Sequence, residues 1–255
     1  MQTGTRTDVR QTDHQTLARE GDHFRFDPAC FSAFSPDCFD AAYWQARQAV
    51  TGTSIGRGTT WFIRDGDRHM VLRRYWRGGL FHRLLKDRYL IQPVHKSRAM
   101  REFALLVHMR QLGLPVPRPC AAALFRDSLL FYRAALIIER IPDARDLVAL
   151  LQESPLPEAR WRDIGGVIAR LHQAGVYHAD LNSHNILLDA QQAPWVIDFD
   201  KCHLRKPGRW QQANLARLLR SLRKEAGKHA QWHWQESDFS ALKSGYDAAL
   251  ATPAP

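Results

Sequence analysis

The segment from Gly175 to Asp200 constrains this chain more than any other. It reads Gly-Val-Tyr-His-Ala-Asp-Leu-Asn-Ser-His-Asn-Ile-Leu-Leu-Asp, then a turn, then Trp-Val-Ile-Asp-Phe-Asp. The apolar triplets Ile186–Leu188 and Trp195–Ile197 flank Gln191-Gln192-Ala193-Pro194, a spacing that predicts a short β-hairpin. Asp180 lies five residues before Asn185, and Asp198 lies thirteen after it. A hairpin closed between them brings Asn185 and Asp198 together at one end of two short strands. Any fold for this chain must present that loop and that hairpin.

The flanking sequence suggests an α+β chain in two lobes. Residues 1–23 are polar without a sustained period and read as a mobile arm. Pro36–Val50 reads as a short helix carrying Tyr43 and Trp44. Gly52, Gly56 and Gly58 punctuate a β-rich run to Ile63, and Asp65-Gly66-Asp67 turns into a second strand, His69–Tyr75. A helix is expected from Ser97 to Leu112, ended by Gly113 and blocked by Pro115 and Pro117. Ala121–Phe125 and Leu129–Glu139 read as strands, and Ile141–Ala144 as a linker. The N-terminal lobe is therefore placed at 24–141, an antiparallel sheet with one main helix. The C-terminal lobe, 142–255, is mainly helical, with helices at Asp146–Gln152, Glu158–Gln173, Trp210–Ala226 and Ser237–Leu250 around the catalytic hairpin.

The residue types at the hairpin suit phosphoryl transfer from ATP. That reaction needs an acceptor hydroxyl held in line, a group to take its proton, and cations over the phosphates. The spacing His178-x-Asp180-x-x-x-x-Asn185 with Asp198 beyond is that of a kinase catalytic loop and its metal aspartate. Asp180 orients the hydroxyl and accepts the proton. Asn185 and Asp198 supply hard oxygen donors of the kind Mg²⁺ prefers. His178 supports the loop backbone. In the N-terminal half, Gly56-Arg57-Gly58 could lay backbone N–H groups over the phosphates. Alternation puts Val71 and Arg73 on one strand face, for adenine packing beside phosphate contact. Glu102 on the following helix is the expected partner of Arg73, and Glu139–Ile141 the hinge that offers backbone groups to the adenine edge.

At these residues the chain resembles the 3-deoxy-D-manno-octulosonic acid (Kdo) kinases of Gram-negative bacteria, in the lipopolysaccharide kinase family of the protein-kinase-like superfamily. The resemblance is carried by Gly56-Arg-Gly-Thr-Thr-Trp-Phe62, by Val71-Leu-Arg-Arg-Tyr-Trp-Arg-Gly-Gly-Leu80, by Gly175–Asp189 and by Trp195-Val-Ile-Asp-Phe-Asp200. It implies ATP-dependent phosphorylation of the 4-hydroxyl of Kdo on a Kdo-lipid A precursor, at the cytoplasmic face of the inner membrane, in lipopolysaccharide core assembly. The chain departs from protein kinases in three ways. Arg73 replaces lysine, Asp198-Phe-Asp200 has no glycine in its third position, and no Ala-Pro-Glu follows. Only 255 − 198 = 57 residues remain after Asp198, too few for a long activation segment and a full peptide-binding lobe.

Charge and cysteine usage fit that picture. Lys+Arg is 36 and Asp+Glu 26, a formal net charge of +10 that attracts an anionic partner. Six cations between Arg73 and Tyr89 (Arg73, Arg74, Arg77, Arg83, Lys86, Arg88) alternate with Tyr75, Trp76, Leu80, Phe81, Leu84 and Leu85. The stretch reads as a docking strip for an anionic glycolipid or membrane surface. No nucleic-acid partner and no obligate protein partner is expected. The four cysteines form no C-x-x-C pair, as suits a reducing compartment. The N-terminus lacks a signal peptide's apolar core, and no apolar run approaches the ~20 residues of a membrane span. Two other readings compete: another sugar kinase, such as a heptose kinase, and a basic pseudokinase that binds lipid or nucleic acid.

Overall fold

The structure is a computed structural model that describes residues 14–55, 59–76 and 87–252. The chain separates into two compact units. One comprises residues up to Met100 together with Pro119–Glu139; the other comprises Arg101–Arg118 and the chain from Arg140 onward.

The first unit is an antiparallel sheet of β1 (Gln15–Arg19), β2 (Asp22–Phe26), β3 (Val50–Ile55), β4 (Thr59–Asp65), β5 (Arg68–Arg74), β6 (Tyr89–Leu90), β7 (Pro119–Arg126) and β8 (Phe131–Glu139). Its order is β1-β2-β7-β8-β5-β4-β3, with β6 paired to β8. A helix α1 (Ala41–Ala46) precedes β3. This α+β architecture is the one expected, with three local corrections. Residues 14–23 are not an arm, because β1 and β2 close a hairpin through Glu20 and Gly21, both at positive φ (51° and 89°). All five β1 residues are exposed, so the strand carries no alternating apolar signal, and backbone pairing alone defines it. Pro36–Val50 is not one helix. A 3-10 turn over Pro36–Phe39 leads to Asp40, whose carboxylate accepts from the Ala42 N–H and starts α1 afresh. The strand expected from Leu129 begins at Phe131, because the Ser128 hydroxyl accepts from the Leu130 and Phe131 N–H groups and holds a turn.

Carbon fills this unit's interior. Phe24, Phe26, Phe31 and Phe39 are buried with Trp44, Met70 and Leu72. Phe34 stacks on Phe26 with ring centroids 3.8 Å apart, and Phe125 meets Phe24 and Phe39 edge-on. Burying each such ring contributes about 1.5–3 kcal/mol.

Helix α2 (Arg98–Gln111), expected as the main helix of an N-terminal lobe at 24–141, instead lies almost wholly in the second unit, which takes Arg101–Arg118. The second unit continues with β9 (Arg145–Asp146), α3 (Leu147–Leu151), α4 (Glu158–Gln173), β10 (Val176–Tyr177), β11 (Ile186–Leu188), β12 (Pro194–Val196), β13 (His203–Leu204), α5 (Trp210–Ala226) and α6 (Glu236–Ala251). Asp146 caps α3 by accepting from the Ala149 N–H. Gln235 and Asp238 close a capping box, which starts α6 one residue before the expected Ser237. Helices α4 and α6 cross at two glycines. A Cβ on Gly165 would lie 1.9 Å from the Leu242 carbonyl oxygen, and one on Gly245 would lie 2.2 Å from that of Arg162. The backbones therefore touch where side chains would hold them apart.

Candidate active site

The candidate catalytic loop is built where α4 ends. Gly175 takes a positive φ of 73° and turns the chain into β10. β10 pairs with β13, and the loop from His178 to Asn185 then leads into the hairpin of β11 and β12. Asp189 organises that hairpin's tip, accepting from the Gln191 and Ala193 N–H groups and from the Trp195 indole N–H. The strands are as expected from the apolar triplets, except that β12 occupies Pro194–Val196 and ends before Ile197. β11 also pairs with β9.

His178 fastens the loop from inside. Its Nδ1 accepts from the Asp180 N–H at 3.2 Å, so its Nε2–H donates to the Ile197 carbonyl at 3.0 Å. One imidazole thus couples the residue before Asp198 to the backbone of Asp180. Burial pushes the pKa of His178 below its ordinary value, as a ring used as acceptor and donor requires. Asn182 caps the turn over Ser183–Asn185, accepting from the His184 and Asn185 N–H groups. The Asn185 amide donates to the Asp180 carbonyl at 2.9 Å, and the Ile197 N–H donates to the Asn185 carbonyl at 3.0 Å. Asp180, Asn185 and Asp198 are therefore brought together, as the spacing predicts.

Two features of this set bear on a metal. Because the Asn185 amide nitrogen is committed to Asp180, its Oδ1 faces the other way as an acceptor. Asp198 adopts a left-handed φ of 64°, a conformation few non-glycine residues take and one found at sites where function sets the backbone. The chain folds back directly after it, with the Cys202 N–H donating to the Phe199 carbonyl. One amide oxygen and one carboxylate beside a tied backbone are hard donors that fit Mg²⁺. Cys202 is buried under the loop, where its sulfur accepts from the Ala179 N–H at 3.2 Å. Burial, followed by smaller contributions from Glu102, Asp198 and Asp200, raises that thiol's pKa and keeps it protonated.

The remaining expected residues are distributed as follows. Arg73 lies on β5 between Thr60 and Leu136, with Val71 on the same face and the buried Met70 and Leu72 on the other. Glu139 ends β8 opposite Met70, and Ile141 is buried in the linker beyond it. Glu102 is buried on α2, in the unit that holds Asp198. Gly56, Arg57 and Gly58 lie outside the described residues, as does most of the basic strip, at 77–86.

A polar stripe on α5 escapes the sequence reading. Asn214 exchanges hydrogen bonds with the His178 backbone, donating at 2.9 Å and accepting at 3.2 Å. Arg217 donates to Asp180 Oδ1 from Nε at 2.9 Å and from a terminal nitrogen at 2.5 Å. The Ser221 hydroxyl accepts from the Ser183 N–H at 3.1 Å and bonds its hydroxyl at 2.8 Å. Glu225 reaches His184 at 3.7 Å. The four positions follow at steps of 3, 4 and 4, one helix face running beside the loop. Their signal is a polar row beside the apolar row Leu215, Leu218 and Leu222, and it means little until the loop is known to lie there. Behind it, His172 accepts from the Tyr246 hydroxyl at 2.8 Å and faces Asn214 Oδ1 at 3.4 Å, which links α6 to the loop.

Comparison with known proteins bears on this geometry. The family described as "Lipopolysaccharide kinase (Kdo/WaaP) family" matches residues 41–246. A Vibrio parahaemolyticus protein named 3-deoxy-D-manno-octulosonic acid kinase is 49% identical over 217 residues, 85% of this chain and 90% of that protein. Proteins of the same name from Vibrio vulnificus and Photobacterium profundum are 48% and 42% identical, covering 82% and 91% of this chain and 88% and 98% of their own lengths. A solved structure, "WaaP in complex with acyl carrier protein", shares the fold at TM-score 0.53 and 16% identity, covering 81% of this chain and 82% of its own. The loop, the hairpin and relatives similar along most of their length lead to one conclusion: this chain belongs to the lipopolysaccharide kinase (Kdo/WaaP) family.

Proposed function

We propose that this enzyme transfers the γ-phosphoryl group of ATP to the 4-hydroxyl of Kdo on a Kdo-lipid A precursor. The observation that carries the reading is the Asp180–Asn185–Asp198 constellation, in a chain 49% identical to a protein named for that kinase activity. Asp180 orients the acceptor hydroxyl and takes its proton as the phosphoryl group leaves ATP. Asn185 Oδ1 and the Asp198 carboxylate hold Mg²⁺, which when bound neutralises charge on the phosphates. Gly56, Arg57 and Gly58 cover the phosphates, and Arg73, oriented by Glu102, grips them. Val71 packs on the adenine, and Glu139 and Ile141 flank the backbone that meets its edge. Arg73 serves in place of lysine with a planar fork of donors, which suits phosphate but changes the contact from a point charge to a bidentate one.

The same reading places the enzyme peripherally on the cytoplasmic face of the inner membrane, where a lipid-linked acceptor is found. Among the described residues no helix is long and apolar enough to cross a membrane. A surface on the first unit supports peripheral contact. Leu90, Ile91, Leu129 and Leu130 are 61%, 41%, 80% and 63% exposed, and the Ile91 N–H bonds the Leu130 carbonyl at 2.8 Å, so the four share one edge. Arg88, Arg126 and Arg133 lie on the same strands or beside them. Apolar tips with neighbouring guanidinium groups suit an anionic lipid surface.

The test is direct. Purified protein, ATP, Mg²⁺ and Kdo-lipid A precursor should yield a glycolipid phosphorylated on Kdo. Absence of that product, with robust transfer to a heptose-bearing core acceptor, would overturn the acceptor assignment in favour of a heptose kinase.

A further inference from the structure

We propose that Arg217 is a positioning residue for phosphoryl transfer, acting through Asp180. The inference rests on the reading of Asp180 as the group that meets the acceptor hydroxyl. Both Arg217 hydrogen bonds converge on one oxygen, Oδ1, at 2.9 and 2.5 Å. They do not span the two oxygens as a bidentate carboxylate pair does. Asp180 Oδ2 takes no bond from Arg217 and is left for an acceptor hydroxyl, while the hold on Oδ1 restrains rotation of the carboxylate about its Cβ–Cγ bond. The loop backbone cannot do this alone, since the Asp180 N–H is held by His178 and its carbonyl by Asn185, and neither touches the carboxylate.

Stability does not explain the contact. The two side chains are 47% and 45% exposed, and an ion pair so placed contributes only about 0–1 kcal/mol. Arg217 is itself well supported. It stands one turn from Asn214 and Ser221, which fasten the same helix face to the loop on either side. The loop from His178 to Asn185 carries no lysine or arginine of its own. A cation from a helix 37 residues further along the chain does the work instead.

The experiment is a double-mutant cycle on the full chain, with Arg217→Ala, Arg217→Lys, Asp180→Asn and Arg217→Ala combined with Asp180→Asn. Arg217→Ala should lower kcat roughly 10²-fold, the cost of a misplaced reacting group, and leave the ATP affinity unchanged. Arg217→Lys should recover part of the loss. In the Asp180→Asn background, Arg217→Ala should cost little more, because the residue acts through Asp180. A loss that adds in full, or that falls on the acceptor KM alone, overturns the proposal and makes Arg217 an independent binding group. A second arm needs no turnover: the Arg217 Nε–H resonance of ¹⁵N-labelled protein should move when Asp180 becomes Asn. An unmoved resonance also overturns the proposal. Failure of wild-type protein to phosphorylate the Kdo glycolipid would instead strike the acceptor assignment, and the resonance would still report whether Arg217 holds Asp180.

Discussion

The interiors of the two units are built on different physics. In the first, phenylalanines from β2, β7 and the segment before α1 meet one another, and their attraction has little directional demand. In the second, buried polar groups concentrate. Of the nine buried polar or charged residues described, Glu102, His172, His178, Ser183, Asn185, Asn214 and Glu225 belong to it, against Asp27 and Ser97 in the first. Each hydrogen bond among them fixes a direction as well as a distance. A carbon core tolerates exchange of one apolar group for another of similar volume, whereas a network that orients Asp180 and Asn185 loses its purpose if one partner is replaced.

The sharpest way to break this contrast is Asp180→Ala. It should lower phosphoryl transfer by about 10³-fold or more while the melting temperature and ATP binding hold, because the residue's side chain is exposed and its loop is held by others. A matching fall in melting temperature would mean that the loop depends on the Asp180 side chain. Next comes Phe39→Ala in the carbon core, which should cost about 4 kcal/mol in urea denaturation, since the ring is 1% exposed and touches Phe24, Phe34 and Phe125. Phe39→Leu should recover most of that, as a core without directional demand allows. Gly165→Ala should cost about 3 kcal/mol, because the added carbon meets the backbone of α6 and no side chain can swing aside to admit it. If Gly165→Ala is neutral, the crossing of α4 and α6 is looser than its backbone contact implies.

Legibility from sequence follows the same division. The candidate catalytic loop and its hairpin can be read because their determinants are local. Asp180, Asn185 and Asp198 fall within 19 residues, and apolar triplets mark the strands between. Helices with a clear apolar row, such as α4 and α5, match the expected Glu158–Gln173 and Trp210–Ala226 at both ends. The strand β1 is hidden because an edge strand exposed on every residue has no apolar signature to display. Arg217, Asn214 and Ser221 are hidden for another reason. Their partners lie 36 to 38 residues away, and a polar row on a helix reads as solvated surface until something is known to lie against it. Gly165 and Gly245 were likewise silent, since a glycine inside a helix signals close packing only once its neighbour is in place.

The smallest effect separates the interiors by their response to acid. An unfolded imidazole titrates near 6.5, and burial, the largest cause, holds His172 down to about 4 in the fold. Between those values the unfolded chain binds a proton that the folded chain refuses. Stability is therefore complete above 6.5 and declines as the pH falls toward 4, by about 2 kcal/mol at pH 5. His178 is shifted in the same direction and adds to the decline. His172→Gln should weaken the protein at pH 8, where it loses the bonds to Tyr246 and Asn214, and should close much of that gap at pH 5. Phe39→Ala should cost the same at both values, because the ring's partners Phe24, Phe34 and Phe125 bind no protons. Urea denaturation of both variants at the two pH values measures this. Equal pH dependence in the two variants would mean that the polar interior of the second unit is no more sensitive to proton binding than the carbon interior of the first.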